Sequence, residues 1–198
     1  MRSTFSAPLA ILISVFAFSA KTQNSEARPP IERNPSWALK VLDVPEVPKL
    51  FLVEPNFYRS PQPTKEGFKA LVIGKGLRTV VNLRASHSDD RLTQGLELRL
   101  FNFKMRAWHI EREDVVGALR ALRSETRTGP TLLHCTLGAD RTGLVAALYR
   151  IIYQGWSKHA ALEEMEDGGF GFHDIWINIP RYIDEIDIGQ LKRDVGVP

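Results

Sequence analysis

From Thr64 onward the pattern of apolar and polar residues becomes regular and alternates between strand-like and helix-like stretches. Apolar or alternating runs predict three strands, at residues 79–84, 96–105 and 130–135. Caps, closing glycines and charge gradients predict helices at residues 64–76, 111–125, 142–154 and 157–169, and a further one from 173 that is kinked or restarted at Pro180. This alternation predicts an α/β domain with a central, mainly parallel sheet flanked by helices.

Prolines dominate the chain before Thr64. Residues 28–48 are predicted to form an extended proline-rich linker. Residues 49–63 are again broken by prolines, and short edge strands such as 50–53 are expected in an otherwise irregular chain. The predicted organisation is therefore an N-terminal segment of residues 1–27, the linker, and one folded domain over residues 49–198.

The first 27 residues have the pattern of an export signal. A positive start at Arg2 precedes an apolar run over residues 7–20, and small residues follow at positions 19–20 and 25–27 that suit cleavage. The run is shorter than a comfortable membrane span, although a retained anchor or an ordinary buried helix is an alternative. The expected mature chain is periplasmic or secreted and has no integral membrane span.

Composition narrows the class of protein. Hydrophobic residues make up 43% of the 198 residues and charged residues 25%, which is typical of a folded globular protein. A formal charge of +3, with no basic run, gives no reason to expect a nucleic-acid partner. The single cysteine excludes an internal disulfide. In an oxidising compartment a free thiol is a liability unless it is useful or deeply buried.

That cysteine lies in the stretch HCTLGADRTG, residues 134–143, where a strand is predicted to end and a helix to begin. Backbone N–H groups at such a junction form an anion-binding nest, which the helix dipole reinforces. The guanidinium of Arg141 can hold two oxygens of the anion, and the positive surroundings stabilise a thiolate at Cys135. The predicted phosphate-binding positions are Thr136, Leu137, Gly138, Ala139, Asp140 and Arg141.

HCTLGADRTG resembles the Cys-x5-Arg signature of the protein tyrosine phosphatase superfamily, and its His-Cys start and Arg-Thr-Gly end resemble the dual-specificity branch. The resemblance extends over residues 56–183. It implies a phosphatase fold and a two-step mechanism, in which Cys135 forms a phosphocysteine that water then hydrolyses. It also implies assisting roles for His134 and Thr142, and neither a metal nor another cofactor.

The sequence departs from this family at the general acid. The family carries an aspartate roughly thirty residues before the cysteine, but residues 105–109 contain no carboxylate. Asp140, inside the loop, is the first candidate, although it could instead brace the loop. Alternative candidates, less favoured because most could simply begin a helix, are His109, Glu111, Glu113 and Asp114. Asp89 and Asp90 are expected to be solvated loop residues.

Several basic residues follow the ends of the predicted strands and could face the phosphate site together with Trp108. They are Arg84, His87, Lys104, Arg106 and His109. Such a pocket would suit a polyanion or an aromatic phosphate. The expected substrates are a phosphorylated protein, a phosphoinositide or an inositol phosphate. A phosphate-binding pseudophosphatase is an alternative because the usual acid is missing. A sulfur-transfer or arsenate-reducing enzyme is disfavoured by the Arg-Thr-Gly ending.

Overall fold

A computed structural model describes residues 33–198 of the chain, so the predicted export signal lies outside the described residues. A six-stranded sheet has the spatial order β1-β2-β3-β6-β4-β5. The strands are β1 (Leu39–Lys40), β2 (Phe51–Glu54), β3 (Phe57–Ser60), β4 (Thr79–Asn82), β5 (Arg99–Asn102) and β6 (Thr131–His134). Strands β3, β6, β4 and β5 run parallel, and β1–β2 and β2–β3 are antiparallel. The prediction of an α/β fold with a mainly parallel sheet is confirmed.

Within residues 33–198, six helices accompany the sheet. They are α1 (Lys65–Lys75), α2 (Arg112–Glu125), α3 (Asp140–Gln154), α4 (Lys158–Asp167), α5 (Asn178–Glu185) and α6 (Ile188–Asp194). The Thr64 hydroxyl accepts the Gly67 N–H at the start of α1, and Gly76 ends that helix in the left-handed conformation. Pro180 is the third residue of α5 and lies in its first turn, where a missing N–H costs nothing, so it does not kink the helix. Helix α6 had no predicted counterpart.

Residues 33–48 pack as part of the domain rather than forming the predicted linker. Trp37, Ala38, Val44 and Val47 are buried, and Leu39 of β1 pairs with Leu52 of β2. Apolar residues between the prolines explain the difference, because their burial fixes the chain against the sheet. Strand β2 is therefore second from the edge, and β3, which the prolines obscured in the sequence, lies inside the sheet.

Helix α3 is the central element of the larger hydrophobic core. Every residue from Thr142 to Ile152 is buried, and α2, α4, α5 and α6 pack around the same core. A second cluster, on α1 and the neighbouring strands, includes Phe68, Leu71, Val80 and Leu132. In contrast, β5 is an exposed edge strand rather than the half-buried strand expected. Within residues 33–198, no helix is both long and apolar enough to cross a membrane.

The pairing register of the parallel strands brings their carboxyl ends together. His134 at the end of β6 pairs with Ser60 of β3 on one side and Asn82 of β4 on the other. Helix α3 begins six residues after His134, at Asp140. The loop of residues 135–139 therefore joins the carboxyl end of a central strand to the N-terminus of a buried helix, where ligands bind in open parallel sheets.

Candidate active site

The loop after β6 presents a row of unused backbone donors. Within residues 33–198, the amide N–H groups of residues 136–141 donate to no other group. They precede the 15-residue helix α3, whose N-terminal dipole adds partial positive charge. A row of backbone N–H groups without acceptors at a helix N-terminus is typical of an anion site. We call residues 134–143 the floor of the site.

Gly138 allows the floor to close against β3. Its φ is +69°, in the left-handed region, and a Cβ there would lie 2.5 Å from the carbonyl oxygen of Ser60. No other side chain fits that space. The guanidinium of Arg59 donates to the Gly138 carbonyl at 2.9 Å, and the Gln62 N–H donates to the Thr136 carbonyl at 3.1 Å. The loop is therefore fastened to β3 and the residues after it.

Arg59 supports the floor from beneath. It is 2% exposed, and its guanidinium carbon lies 3.6 Å from the centre of the Phe170 ring. Burial lowers the pKa of Arg59 to about 10, against the opposing effects of Glu164 and Cys135. A buried cation beneath the loop adds to the positive surroundings of the thiol. Arg59 lies in the proline-rich stretch, where no local pattern indicated a role for it.

His134 and Asp89 brace the cysteine from the other side. Cys135 is 1% exposed, and the neighbouring His134 imidazole lies with Nδ1 3.1 Å from the Cys135 carbonyl and Nε2 2.8 Å from Asp89. Arg84 and Gln62 donate to the other oxygen of Asp89, at 3.0 and 2.9 Å. The solvated position expected for Asp89 is wrong, because these long-range partners bury it to 3% exposure.

The charge of Asp89 follows from these contacts. Burial by itself raises the pKa of its carboxyl, but the hydrogen bond and charge of His134, with help from Gln62 and Arg84, hold the pKa below its ordinary value. Asp89 is therefore an ionised brace for His134. The neighbouring Asp90 is exposed, as expected.

Arg141 lies in the first turn of α3 and reaches across the floor. Its guanidinium donates to the Thr136 hydroxyl at 3.1 Å and to the carbonyls of Leu83 and Met105 at 3.4 and 3.3 Å. These contacts fix the plane of the guanidinium so that it can hold two phosphate oxygens together. The hydroxyl of Thr142 is buried, and it has no hydrogen-bond partner within the described part of the chain.

Asp140, the first candidate for the acid, is 7% exposed and contacts His173. One carboxylate oxygen accepts the His173 N–H at 3.0 Å and lies 2.9 Å from Nδ1, and the other oxygen lies 3.1 Å from Nδ1. His173 lies in the segment that joins α4 to α5, and its side chain is 47% exposed. No signal in the sequence connected residues 140 and 173.

A cleft of about 600 Å³ opens over the floor. We call residues 105–108 and 173–176 its rim. The cleft is lined by residues from four segments: Arg84, Ala85, Ser86 and His87; Met105, Arg106, Ala107 and Trp108; Thr136, Leu137, Asp140 and Arg141; and His173, Ile175 and Trp176. Three of the predicted basic residues, Arg84, His87 and Arg106, thus line the cleft with Trp108, whereas Lys104 lines a neighbouring depression.

The remaining candidates for the acid lie elsewhere. None of His109, Glu111, Glu113 and Asp114 lines the cleft. His109 and Glu111 are 64% and 52% exposed and lie 3.8 Å apart. Burial and the charges of Glu111 and Glu113 raise the pKa of Asp114. Among residues 33–198 there is also no group of three or more metal-ligating side chains.

Comparisons with known proteins identify the family of the chain. A family model described as DSP-PTPase phosphatase fused to NAD+ kinase matches residues 51–175. The dual specificity protein phosphatase TpbA of Pseudomonas aeruginosa strain UCBPP-PA14 is 36% identical over 93% of this chain and 81% of that protein. Inositol diphosphatase DSP5 of Arabidopsis thaliana is 28% identical over 74% of this chain and 73% of that protein.

Solved structures of a phosphatase are similar to this chain as well. The crystal structure of P. aeruginosa TpbA has a TM-score of 0.73 at 34% identity, over 82% of this chain and 98% of that one. A TpbA structure in complex with phosphotyrosine has a TM-score of 0.72 at 33% identity, over 83% and 99%. Fold and site together define a cysteine-dependent phosphoric monoester hydrolase of the protein tyrosine phosphatase superfamily. Within that class, the chain belongs to the DSP-PTPase family.

Proposed function

We propose that this phosphatase hydrolyses phosphotyrosine in proteins, with Cys135 as nucleophile and Arg141 as phosphate clamp. The observation that carries the proposal is the floor itself. A buried thiol is followed, just before a buried helix, by backbone N–H groups that have no acceptor within residues 33–198, and the guanidinium of Arg141 is fixed by a hydrogen bond across the same loop. Each of these features favours a bound dianion and its more highly charged transition state.

The steps follow from the positions of these groups. The amide N–H groups of residues 136–141 and the fork of Arg141 hold the three non-bridging phosphate oxygens. The sulfur of Cys135 attacks phosphorus while the bond to the leaving oxygen breaks, which gives a phosphocysteine. Water then attacks phosphorus and the sulfur leaves as a thiolate. The unpartnered hydroxyl of Thr142 is available to donate to that thiolate.

The shape of the cleft supports an aromatic substrate. Trp108 lies on one segment of the rim and Trp176 on the other, and Met105, Leu137 and Ile175 add apolar surface. A tyrosine ring can pack between such side chains while its phosphate reaches the floor, whereas the shorter side chain of phosphoserine leaves them unused. The phosphotyrosine complex of TpbA, a 33% identical relative, points to the same substrate class.

The basic side chains of the cleft favour a second candidate substrate, an inositol phosphate or a phosphoinositide headgroup. Arg84, His87 and Arg106 line the cleft in addition to Arg141, and they could hold further phosphates of a polyanion. The relative DSP5 carries the name inositol diphosphatase. A panel of a phosphotyrosine peptide, a phosphoserine peptide and inositol hexakisphosphate separates the candidates, and the highest kcat/KM is expected for the phosphotyrosine peptide.

Hydrolysis of a simple phosphate ester, compared between the wild type and Cys135→Ser, tests the phosphatase function itself. The wild-type chain should hydrolyse p-nitrophenyl phosphate in the presence of EDTA, and Cys135→Ser should be inactive while still binding phosphate or vanadate. Thiosulfate and arsenate should not be turned over. Activity in Cys135→Ser above a tenth of wild type would overturn the cysteine mechanism. Phosphate binding without turnover in the wild type would indicate a pseudophosphatase.

We also propose that the protein is exported to the periplasm or beyond the cell. The support is the positive start, apolar run and small residues within positions 1–27, and a single cysteine that is buried in the folded domain. Cell fractionation tests this proposal: the mature protein should leave the cytoplasm with its N-terminal segment removed. A variant in which Arg2 and two apolar residues of the predicted signal are replaced by acidic residues should stay in the cytoplasm as the full-length chain.

A further inference from the structure

The rim of the cleft has two segments, and they differ in what they can donate to a leaving group. Residues 105–108 are Met, Arg, Ala and Trp, and none of these side chains gives up a proton near neutral pH: the arginine stays charged, and the indole N–H of the tryptophan only donates a hydrogen bond. The segment of residues 173–176 contributes His173, Ile175 and Trp176 to the cleft. The proton donor absent from the first segment is therefore available in the second.

His173 is held in one orientation from two directions. The Asp140 carboxylate accepts its backbone N–H at 3.0 Å and lies 2.9 Å from Nδ1, so backbone and ring are fixed by the same acceptor. Trp176 donates its N–H to the His173 carbonyl at 3.0 Å. Phe170, three residues earlier, is buried against the Arg59 guanidinium. The segment is thus anchored to the floor that holds Cys135.

We propose that His173 is the general acid of the reaction and that Asp140 is its positioning residue; the proposal rests on the phosphatase function proposed above. With Nδ1 held by Asp140, the other ring nitrogen, Nε2, is left to donate within the cleft. A buried carboxylate behind the ring stabilises the imidazolium and fixes which nitrogen faces the substrate. Both oxygens of Asp140 lie near His173, which leaves that carboxylate poorly placed to deliver a proton itself.

Other charged groups also face His173 in the cleft. Arg84, Arg106 and Arg141 line the cleft, and their charges oppose an imidazolium. The Asp140 carboxylate and the bound phosphate dianion oppose that effect. His87 also lines the cleft, but its Nδ1 lies 3.0 Å from the hydroxyl of the neighbouring Ser86 and no carboxylate braces it. Of the imidazoles in the cleft, His173 is the one with a fixed acidic partner.

The proton balance of both steps is complete with this assignment. In the first step the Cys135 sulfur bonds to phosphorus, the bond from phosphorus to the leaving oxygen breaks, and the Nε2 proton passes to that oxygen. His173 is then neutral. In the second step it accepts a proton from the attacking water as the new phosphorus–oxygen bond forms and the sulfur–phosphorus bond breaks. Thiolate and imidazolium are both restored, and no further reactant is needed.

The test compares substrates with poor and good leaving groups. His173→Asn should slow hydrolysis of phenyl phosphate by about 10²–10⁴-fold, the usual contribution of a general acid. An aryl phosphate with strongly electron-withdrawing substituents needs no proton, so its phosphorylation of Cys135, read as the burst of released phenol, should slow at least tenfold less. His159→Asn, an 83% exposed imidazole on α4, is the matched control and should behave as wild type.

Two further readouts distinguish a proton donor from a structural residue. The wild-type rate on phenyl phosphate should fall at alkaline pH, and this fall should disappear in His173→Asn. In His173→Ala, added imidazole should restore part of the rate on phenyl phosphate only. Asp140→Asn should show the same leaving-group dependence, with a smaller loss, because it misplaces the acid without removing it.

Each outcome decides the proposal. An equal loss on poor and good leaving groups in His173→Asn, or an alkaline fall that persists, would overturn the role of His173. If the variants prove unstable, imidazole rescue of His173→Ala at low temperature decides, and no rescue counts against the proposal. A wild-type chain that hydrolyses neither substrate overturns the phosphatase function itself, whereas normal wild-type turnover with no leaving-group effect overturns His173 alone.

Discussion

Cys135 and His134 in the floor are at most 1% exposed, whereas Trp108 and Ile175 on the rim are 67% and 77% exposed. The floor is held by hydrogen bonds and buried charges from β3, from Asp89 and from α3. The rim consists of loop residues: Met105 and His173 contact Arg141 and Asp140 of the floor, whereas the side chains of Trp108 and Ile175 project into solvent. A fixed floor can provide the same electrostatic stabilisation for any phosphate monoester. An exposed rim can select among leaving groups without disturbing the chemistry beneath it.

The largest effect is expected from the clamp in the floor. Arg141→Lys keeps the positive charge but loses the bidentate fork, so kcat should fall by about 10²–10³-fold, as when one preorganised donor is removed. Circular dichroism and urea unfolding should remain close to wild type. Arg91→Lys, an exposed position, is the matched control. A loss below tenfold would mean that the charge of Arg141 matters and its geometry does not.

The close contact between loop and β3 predicts a large loss of stability. Gly138→Ala should lower the free energy of unfolding by about 3 kcal/mol or more, because the new Cβ meets Ser60 and the backbone is in the left-handed region. Gly76→Ala separates these causes: its φ is +63° with open space around it, so it should cost about 1–2 kcal/mol. Urea unfolding measures both. Equal losses in the two variants would show that the contact with Ser60 contributes nothing.

The buried brace of the floor predicts a pH dependence. Asp89→Asn should lose about 1–3 kcal/mol of stability at pH 7, because the Arg84 and His134 contacts lose a charged acceptor. The pKa of Asp89 is lowered in the folded chain, so its carboxylate stabilises the fold above the unfolded value of about 3.9 and the benefit is lost as pH falls below that. The difference between wild type and Asp89→Asn should therefore shrink below about pH 4.

Urea unfolding from pH 3 to pH 7 measures this difference. The exposed neighbour provides the control, since Asp90→Asn should follow wild type at every pH. A difference for Asp89→Asn that stays constant down to pH 3 would show that the carboxylate is not an ionised brace.

The smallest effect is expected on the rim. Trp108→Ala should raise KM for a phosphotyrosine peptide by about two- to tenfold, since an aromatic contact contributes about 0.5–1.5 kcal/mol, and should leave kcat nearly unchanged. An alkyl phosphate has no ring to contact, and its kinetics should not change. A fall in kcat on both substrates would mean that Trp108 shapes the floor and that floor and rim are not independent.

The same contrast explains what the sequence could and could not predict. The strand, loop and helix around Cys135 are local features, so periodicity and the spacing of Cys135 and Arg141 predicted them. The helix caps at Thr64 and Ser157 could also be predicted, because each side chain accepts a hydrogen bond from the residue three positions later. Local rules reach only as far as such short separations.

The remaining parts of the site depend on contacts between distant residues. Asp89 meets His134 across 45 positions, and Asp140 meets His173 across 33. Arg59 reaches the loop from a strand that prolines had hidden. Neither periodicity nor composition carries information on such pairs. The burial of residues 33–48 was missed for the same reason, since the Ala38 N–H, for example, donates to Glu164, 126 positions further along the chain.

The most direct test of the central claim is to find the phosphoryl group on the enzyme. The wild-type chain would be mixed with an aryl phosphate of good leaving group, quenched in denaturant within the first turnovers, digested and examined by mass spectrometry. One added phosphoryl group is expected on the peptide that contains Cys135, and none is expected in Cys135→Ser or in unreacted enzyme. Rapid turnover with no phosphoryl group on Cys135, or with the group on another residue, would contradict it.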